Sequence, residues 1–128
     1  KYVFKMTLKY IKYAAGIGII DVNIIDNFDI NSDAEHSLGW YGFYNGGFSR
    51  NICANGVRYH NGLFSKDENL SEWINNDSIG ILSDFDNHIL YPTHNGKVIK
   101  KYGVTIPESS FYFHVWSNKL HDHFILNL

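Results

Sequence analysis

The run Ser78-Ile79-Gly80-Ile81-Leu82-Ser83-Asp84-Phe85-Asp86-Asn87-His88-Ile89-Leu90-Tyr91-Pro92-Thr93-His94-Asn95-Gly96-Lys97 decides the fold. Apolar and β-branched residues recur here in short bursts, broken at Asp86-Asn87 and again at Asn95-Gly96. Asn and Asp tolerate left-handed backbone and Gly adopts it freely, so both breaks read as tight turns. Ile79 to Tyr102 is thus predicted to form a three-stranded antiparallel meander.

The same pattern extends outward in both directions. Tyr2, Phe4, Met6 and Leu8 alternate with Val3, Lys5, Thr7 and Lys9, which is the two-residue period of a strand. Further strands are predicted over Ala15 to Ile25, Gly39 to Tyr44, Gly56 to His60, Phe111 to Ser117 and His123 to Leu128. Within the meander they fall at Ser78 to Phe85, His88 to Thr93 and Val98 to Tyr102. Turn residues separate them at intervals that favour a sandwich or barrel. Gly16 and Gly18 share one face of their strand, so either something packs closely over them or the strand bends there. Asp26 to Glu35 is polar and acidic, too long for a hairpin turn, and reads as a surface loop. Asn69 to Asn76 could make one helical turn and no more.

Composition bounds the function. The chain has 128 residues, 45% of them hydrophobic, 16% aromatic and 19% charged, with net charge −2. That suits one globular domain with a self-sufficient core, expected here to span residues 1–128 and to be a piece of a longer chain. Scattered cations and a pI near 6.4 argue against nucleic acid as a partner. The longest apolar run, Ala14 to Ile20, is far shorter than the ~18 residues of a membrane span, so a soluble protein without membrane contact is expected. One cysteine, Cys53, excludes an internal disulfide and suits an intracellular, reducing compartment. The 14 Asn and the excess of 9 Lys over 2 Arg match a coding sequence rich in A and T, so the chance sequons Asn69-Leu70-Ser71 and Asn76-Asp77-Ser78 carry no weight for glycosylation.

No motif requires catalysis. There is no Gly-x-Ser-x-Gly elbow, and Cys53 has no His at a family spacing. Gly16-Ile17-Gly18 lacks the third glycine and the following helix of a dinucleotide fingerprint. His121 and His123 could share one face of a strand, yet two imidazoles near a terminus are more simply solvated than metal-bound. Asp84 with Asp86, and Asp29, Asp33 and Glu35 in the acidic loop, suit turn capping better than acid–base work. The chain therefore reads as a non-enzyme with no cofactor and no metal. Aromatic residues remain: Trp40-Tyr41-Gly42-Phe43-Tyr44 and Phe111 to Trp116 are aromatic on both strand faces. One face can be core, and the other must be covered by a sheet edge, a loop or a partner.

Taken in order, these segments resemble the SPRY domain family. Ser78-Ile79-Gly80-Ile81, Asp84-Phe85-Asp86, Ile89-Leu90-Tyr91 and Asn95-Gly96-Lys97 are similar to its central signature. Ser37-Leu38-Gly39-Trp40-Tyr41-Gly42 and Val57-Arg58-Tyr59-His60-Asn61-Gly62 resemble its upstream segments, and Phe111 to Ser117 and Phe124 to Leu128 its last strands. The Trp-Glu-Val and Leu-Asp-Pro motifs are absent, so the PRY-extended form does not match. The resemblance implies a bent, concanavalin A-like antiparallel sandwich of two sheets that binds a partner protein or peptide segment without catalysis.

Binding is expected at loops on one end of the sandwich. The candidates are Asp29 and Asn31 in the acidic loop, Tyr41 and Tyr44 in the aromatic strand, and Trp116 and Asn118 at the turn Trp116 to Lys119. Trp116 and Tyr41 suit the core equally well. A lectin-like carbohydrate-binding module is the alternative, since sugar sites also combine aromatic platforms with Asn and Asp. An architectural subunit of a large assembly is a third reading.

Overall fold

The computed structural model describes residues 2–10, 14–24, 37–46, 49–55, 57–59, 76–117 and 123–127. They form two antiparallel sheets packed face to face, an all-β sandwich as the alternation predicts. The first sheet contains β1 (Tyr2–Tyr10), β6 (Ser78–Asp84), β7 (Ile89–His94), β8 (Lys97–Val98), β9 (Val104–Thr105) and β11 (His123–Asn127). Its order is β11-β1-β6-β7-β8, with β9 also paired to β7. The second contains β2 (Ala14–Asp21), β3 (Trp40–Gly46), β4 (Ser49–Ala54), β5 (Val57–Tyr59) and β10 (Phe111–Ser117), in the order β10-β2-β3-β4-β5. No helix among the described residues is long and apolar enough to cross a membrane.

The core between the sheets follows from the two-residue period. Ile17, Ile19, Tyr41, Phe43 and Ile52 point inward from the second sheet, against Phe4, Ile79, Ile81 and Leu90 of the first. β2 lies over β6, β3 over β7 and β4 over β9, while stacked Phe4 and Phe113 set β1 against β10.

The meander forms as predicted, with its turns set by side chains. Asn95 (φ 49°) and Gly96 (φ 83°) are both left-handed, as a two-residue type I′ turn requires. The first turn is longer than Asp86-Asn87, occupying Phe85 to His88. Asp84 causes this by accepting the Asn87 backbone N–H at 3.1 Å and its amide at 2.9 Å, and His88 closes the loop at φ 57°.

The strands differ from the sequence reading at several places, including the short β9, which it did not contain. The Val98 to Tyr102 strand is broken after β8 by a 3-10 turn over Lys100–Tyr102. Pro92 explains the break: its carbonyl accepts the Ile99 N–H at 2.9 Å, so the side of β7 facing this segment lacks the N–H that a continuous ladder would need. The turn instead drops Tyr102 into the core. β2 stops at Asp21 rather than Ile25, where the Asp21 carboxylate accepts the Asn23 N–H at 2.9 Å and starts a turn. β4 was not anticipated, because Asn51, Ile52 and Cys53 are all buried and a strand covered on both faces shows no alternation. The acidic loop and the Asn69 to Asn76 turn lie largely outside the described residues.

The second sheet buries its outer face as well. Ile20, Trp40, Tyr44 and Cys53 form a second cluster there, with Trp116 packed against it. Glycine makes this close approach possible. A Cβ on Gly18 would stand 2.4 Å from the Tyr41 carbonyl oxygen and 2.8 Å from the Trp40 ring, and one on Gly16 would stand 2.3 Å from the Trp116 indole nitrogen. Gly18→Ala is therefore expected to lower unfolding free energy by about 1–3 kcal/mol through overpacking. Denaturant melts would measure it, and a midpoint unchanged from wild type would show that both the β3 backbone and the Trp40 ring can move aside.

Candidate functional site

β10 is the edge strand of its sheet and presents aromatic side chains on both faces. Paired in register with β2 from Phe111↔Asp21 to Ser117↔Ala15, it has no strand along its other edge among the described residues. Inward, Phe111 and Phe113 meet Tyr2, Phe85 and Ile19 around an open notch of about 170 Å³ between the sheets. The rings form a ladder across the gap, with Tyr2 5.9 Å from Phe85, Phe85 stacked on Phe111 at 6.0 Å and Phe111 edge-on to Tyr41 at 6.1 Å. Tyr2 remains 63% exposed and Phe113 45%, both at the notch, whereas Tyr112 is exposed on the outward face. Scattered exposed aromatics are ordinary, but several around one concavity make an apolar recognition surface.

On its outward face β10 is tied to the sheet. The fully buried Trp40 donates its indole N–H to Nδ1 of His114 at 3.0 Å, with the rings edge-on at 6.4 Å. Nδ1 must therefore be an unprotonated acceptor with the proton on Nε2. Burial holds the His114 pKa below its ordinary 6.5, consistent with this neutral form. Burial, and then the Asp21 carboxylate, raise the Tyr41 phenol above 10.0.

A polar network closes the opposite end of the first sheet. Asp77 accepts from or shares a proton with His94 Nε2 at 2.8 Å and accepts the Asn95 amide at 3.1 Å. Asn95 in turn accepts the Ser78 N–H at 2.8 Å. Each bond joins the entry of β6 to the turn after β7, so the network anchors the meander. Among the described residues no three His, Cys, Asp or Glu side chains are placed to hold a metal ion. His121 and the side chain of His123 lie outside the described residues.

The candidate residues named from sequence separate into different places. Asp29, Asn31 and Asn118 lie outside the described residues. Tyr41 and Tyr44 fall on opposite faces of β3, both buried: Tyr41 joins the inter-sheet core and Tyr44 the outer cluster. Trp116 is half-buried, 5.8 Å from Tyr44, beside Gly16 near the end of β10 remote from the notch. The structure thus brings Tyr44 and Trp116 together as packing and sets Tyr41 apart from them. Both aromatic faces of β3 are covered within the chain itself.

Sequence reasoning did not single out Tyr2, Phe85, Phe111 and Phe113 as one surface. Phe85 carried a signal, an aromatic residue in a turn between two carboxylates, but its neighbours come from three remote segments. Beside Tyr2 in register sits Ser83, wholly buried, whose hydroxyl has no hydrogen-bond partner among the described residues. An unsatisfied buried hydroxyl opposes folding, so Ser83→Ala is expected to raise stability by about 1 kcal/mol. A thermal melt of the variant measures this, and a lower melting temperature would mean that the hydroxyl is satisfied in solution.

No family model, curated protein or solved structure matches the chain.

Proposed function

We propose that this chain is a non-catalytic interaction module, SPRY-like in its order of motifs, that binds an extended segment of a partner protein. The observation that carries this reading is the aromatic notch beside the open edge of β10. An edge strand offers unpaired N–H and C=O groups to a passing chain, and an adjoining apolar recess selects a side chain from it. The recess is apolar enough to favour one bulky aliphatic or aromatic residue. Support also comes from the first sheet, in which β11 extends beyond β1 and has no strand of the second sheet opposite it among the described residues. A strand added to β10 would lie over that extension. Cys53, buried and the single cysteine of the sequence, suits an intracellular setting.

The site so proposed differs from the loop end expected from the family resemblance. It rests on strands, which hold their side chains more rigidly than loops do.

A displayed library of random peptides should yield binders with a bulky apolar residue in an extended segment. Phe113→Ala should weaken the selected peptide at least about tenfold, since a ring at the centre of a recess acts as an anchor. Its half-exposed position limits the loss of stability, which a parallel melt records. Binding to a glycan array that is lost in the same variant would favour the carbohydrate reading instead. Peptide binding unaffected by Phe113→Ala would overturn the assignment to the notch.

A further inference from the structure

The hydrogen bonds that hold β10 to β2 fix which of its backbone groups are left for a partner. The Val22 N–H donates to the Ser110 carbonyl at 3.0 Å, and the register continues from Phe111↔Asp21 to Ser117↔Ala15. Bonded and non-bonded pairs alternate in an antiparallel ladder, so Tyr112, His114 and Trp116 direct their N–H and C=O groups to β2. The backbone groups of Phe111, Phe113 and Val115 point to the open edge, where no strand pairs with them among the described residues. The backbone of β2 agrees with this parity. The Asp21 N–H donates to the Gly39 carbonyl on the β3 side at 2.9 Å, which assigns the odd positions of β2 to β3 and the even ones to β10.

The same three residues carry inward side chains. Phe111 and Phe113 line the notch, and Val115 packs against the inter-sheet core. Every strand pair among the described residues is antiparallel, the slightly more stable arrangement per residue. A strand added to β10 in that sense exchanges hydrogen bonds with Phe113 and Phe111 through its own residues i and i+2. Directly opposite residues share a face of the sheet, so these two also aim inward. No Asp, Glu, Lys or Arg occurs in β10 or in the lining of the notch among the described residues. A charge brought there by the added strand would be desolvated without a counter-ion, which selects apolar side chains at both positions.

The width of the site comes from the other sheet. β2 lies over β6 and Phe4 stacks on Phe113, so β1 lies beneath β10 and β11 extends one strand further. Tyr2 shares the notch with Phe111 while Phe4 meets Phe113; hence β1 and β10 run in the same direction. β11 pairs with β1 from Lys5↔Asn127 to Tyr10↔His123, which sets it under the space beside the C-terminal half of β10. One strand fits above it at the usual sheet spacing of ~10 Å. A second copy of this chain does not. Twofold pairing of β10 with β10 along the strand would place the second copy's β1 beneath its own β10, where β11 already lies.

We propose that the edge of β10 is a slot for one antiparallel strand of a partner protein, apolar at i and i+2, and that β11 closes it to a second copy of this chain. The inference rests on the binding site proposed above and adds its direction, register and selectivity.

An N-methyl scan of a peptide selected on the wild-type protein tests the register, because methylation removes one N–H and leaves every side chain in place. Methylation of either apolar residue, i or i+2, is expected to weaken binding at least about tenfold, since a β10 carbonyl loses its donor. The N–H of the residue between them points away from β10, and its methylation is expected to change affinity by less than about threefold. The reverse pattern, which a parallel strand gives, or equal losses at all three positions would overturn the proposal while leaving the notch as the binding site. Peptides whose affinity ignores Phe113→Ala would overturn the site itself, and the slot with it. Sedimentation of the free protein at high concentration should show a monomer. A dimer that the peptide dissociates would overturn the exclusion of a second copy.

Discussion

The packing of the Trp40 ring against glycine backbone is the contact on which the second sheet depends. A strand residue with a Cβ holds its neighbours' side chains away from the main chain, and Gly18 and Gly42, paired across β2 and β3, remove that spacer. The indole therefore sinks onto the sheet and is fully buried on the face turned away from the inter-sheet core. Trp116 uses Gly16 in the same way one pair further along. A two-layer sandwich ordinarily leaves such a face solvated. Here the glycines allow large rings to make dispersion contacts on both sides of three central strands.

β10 gains its character from this arrangement. Edge strands are exposed to unwanted pairing, and many proteins blunt them with charge or proline. This one carries neither within Phe111–Ser117. Its hold on the sheet comes from the β2 ladder and from His114 and Trp116 on the outer face, which leaves its inward aromatics partly uncovered over the notch. Anchoring on one side and availability on the other are thus separated by the alternation of side chains along a single strand.

How much could be read beforehand depends on the range of the forces involved. The meander, β10 and the start of β1 were legible because their periodicity and turn chemistry are local: Asn95-Gly96 needs only its own backbone preference to make a type I′ turn. β4 was not legible, since burial on both faces erases the alternation that marks a strand. The break at Lys100–Tyr102 depends on Pro92, several residues upstream, and becomes visible only when the pairing of β7 is known. Tyr41, Tyr44 and Trp116 were recognised as unusual aromatics, but whether such rings face solvent or one another is decided by strands distant in sequence.

The amino-acid sequence by itself determined the all-β class, the antiparallel meander and most strand positions, and marked Gly16 and Gly18 as a place of either close packing or a bend. These are consequences of backbone sterics and short-range alternation, which act within a few residues. Only the tertiary structure decided that Trp40 would occupy the space over Gly18, that His114 would accept its N–H, and that Tyr2, Phe85, Phe111 and Phe113 would surround one notch. Those relations join residues more than twenty, and in places more than eighty, positions apart. They are fixed by strand register and sheet stacking, which depend on the free energy of the whole core and leave no local mark in the chain.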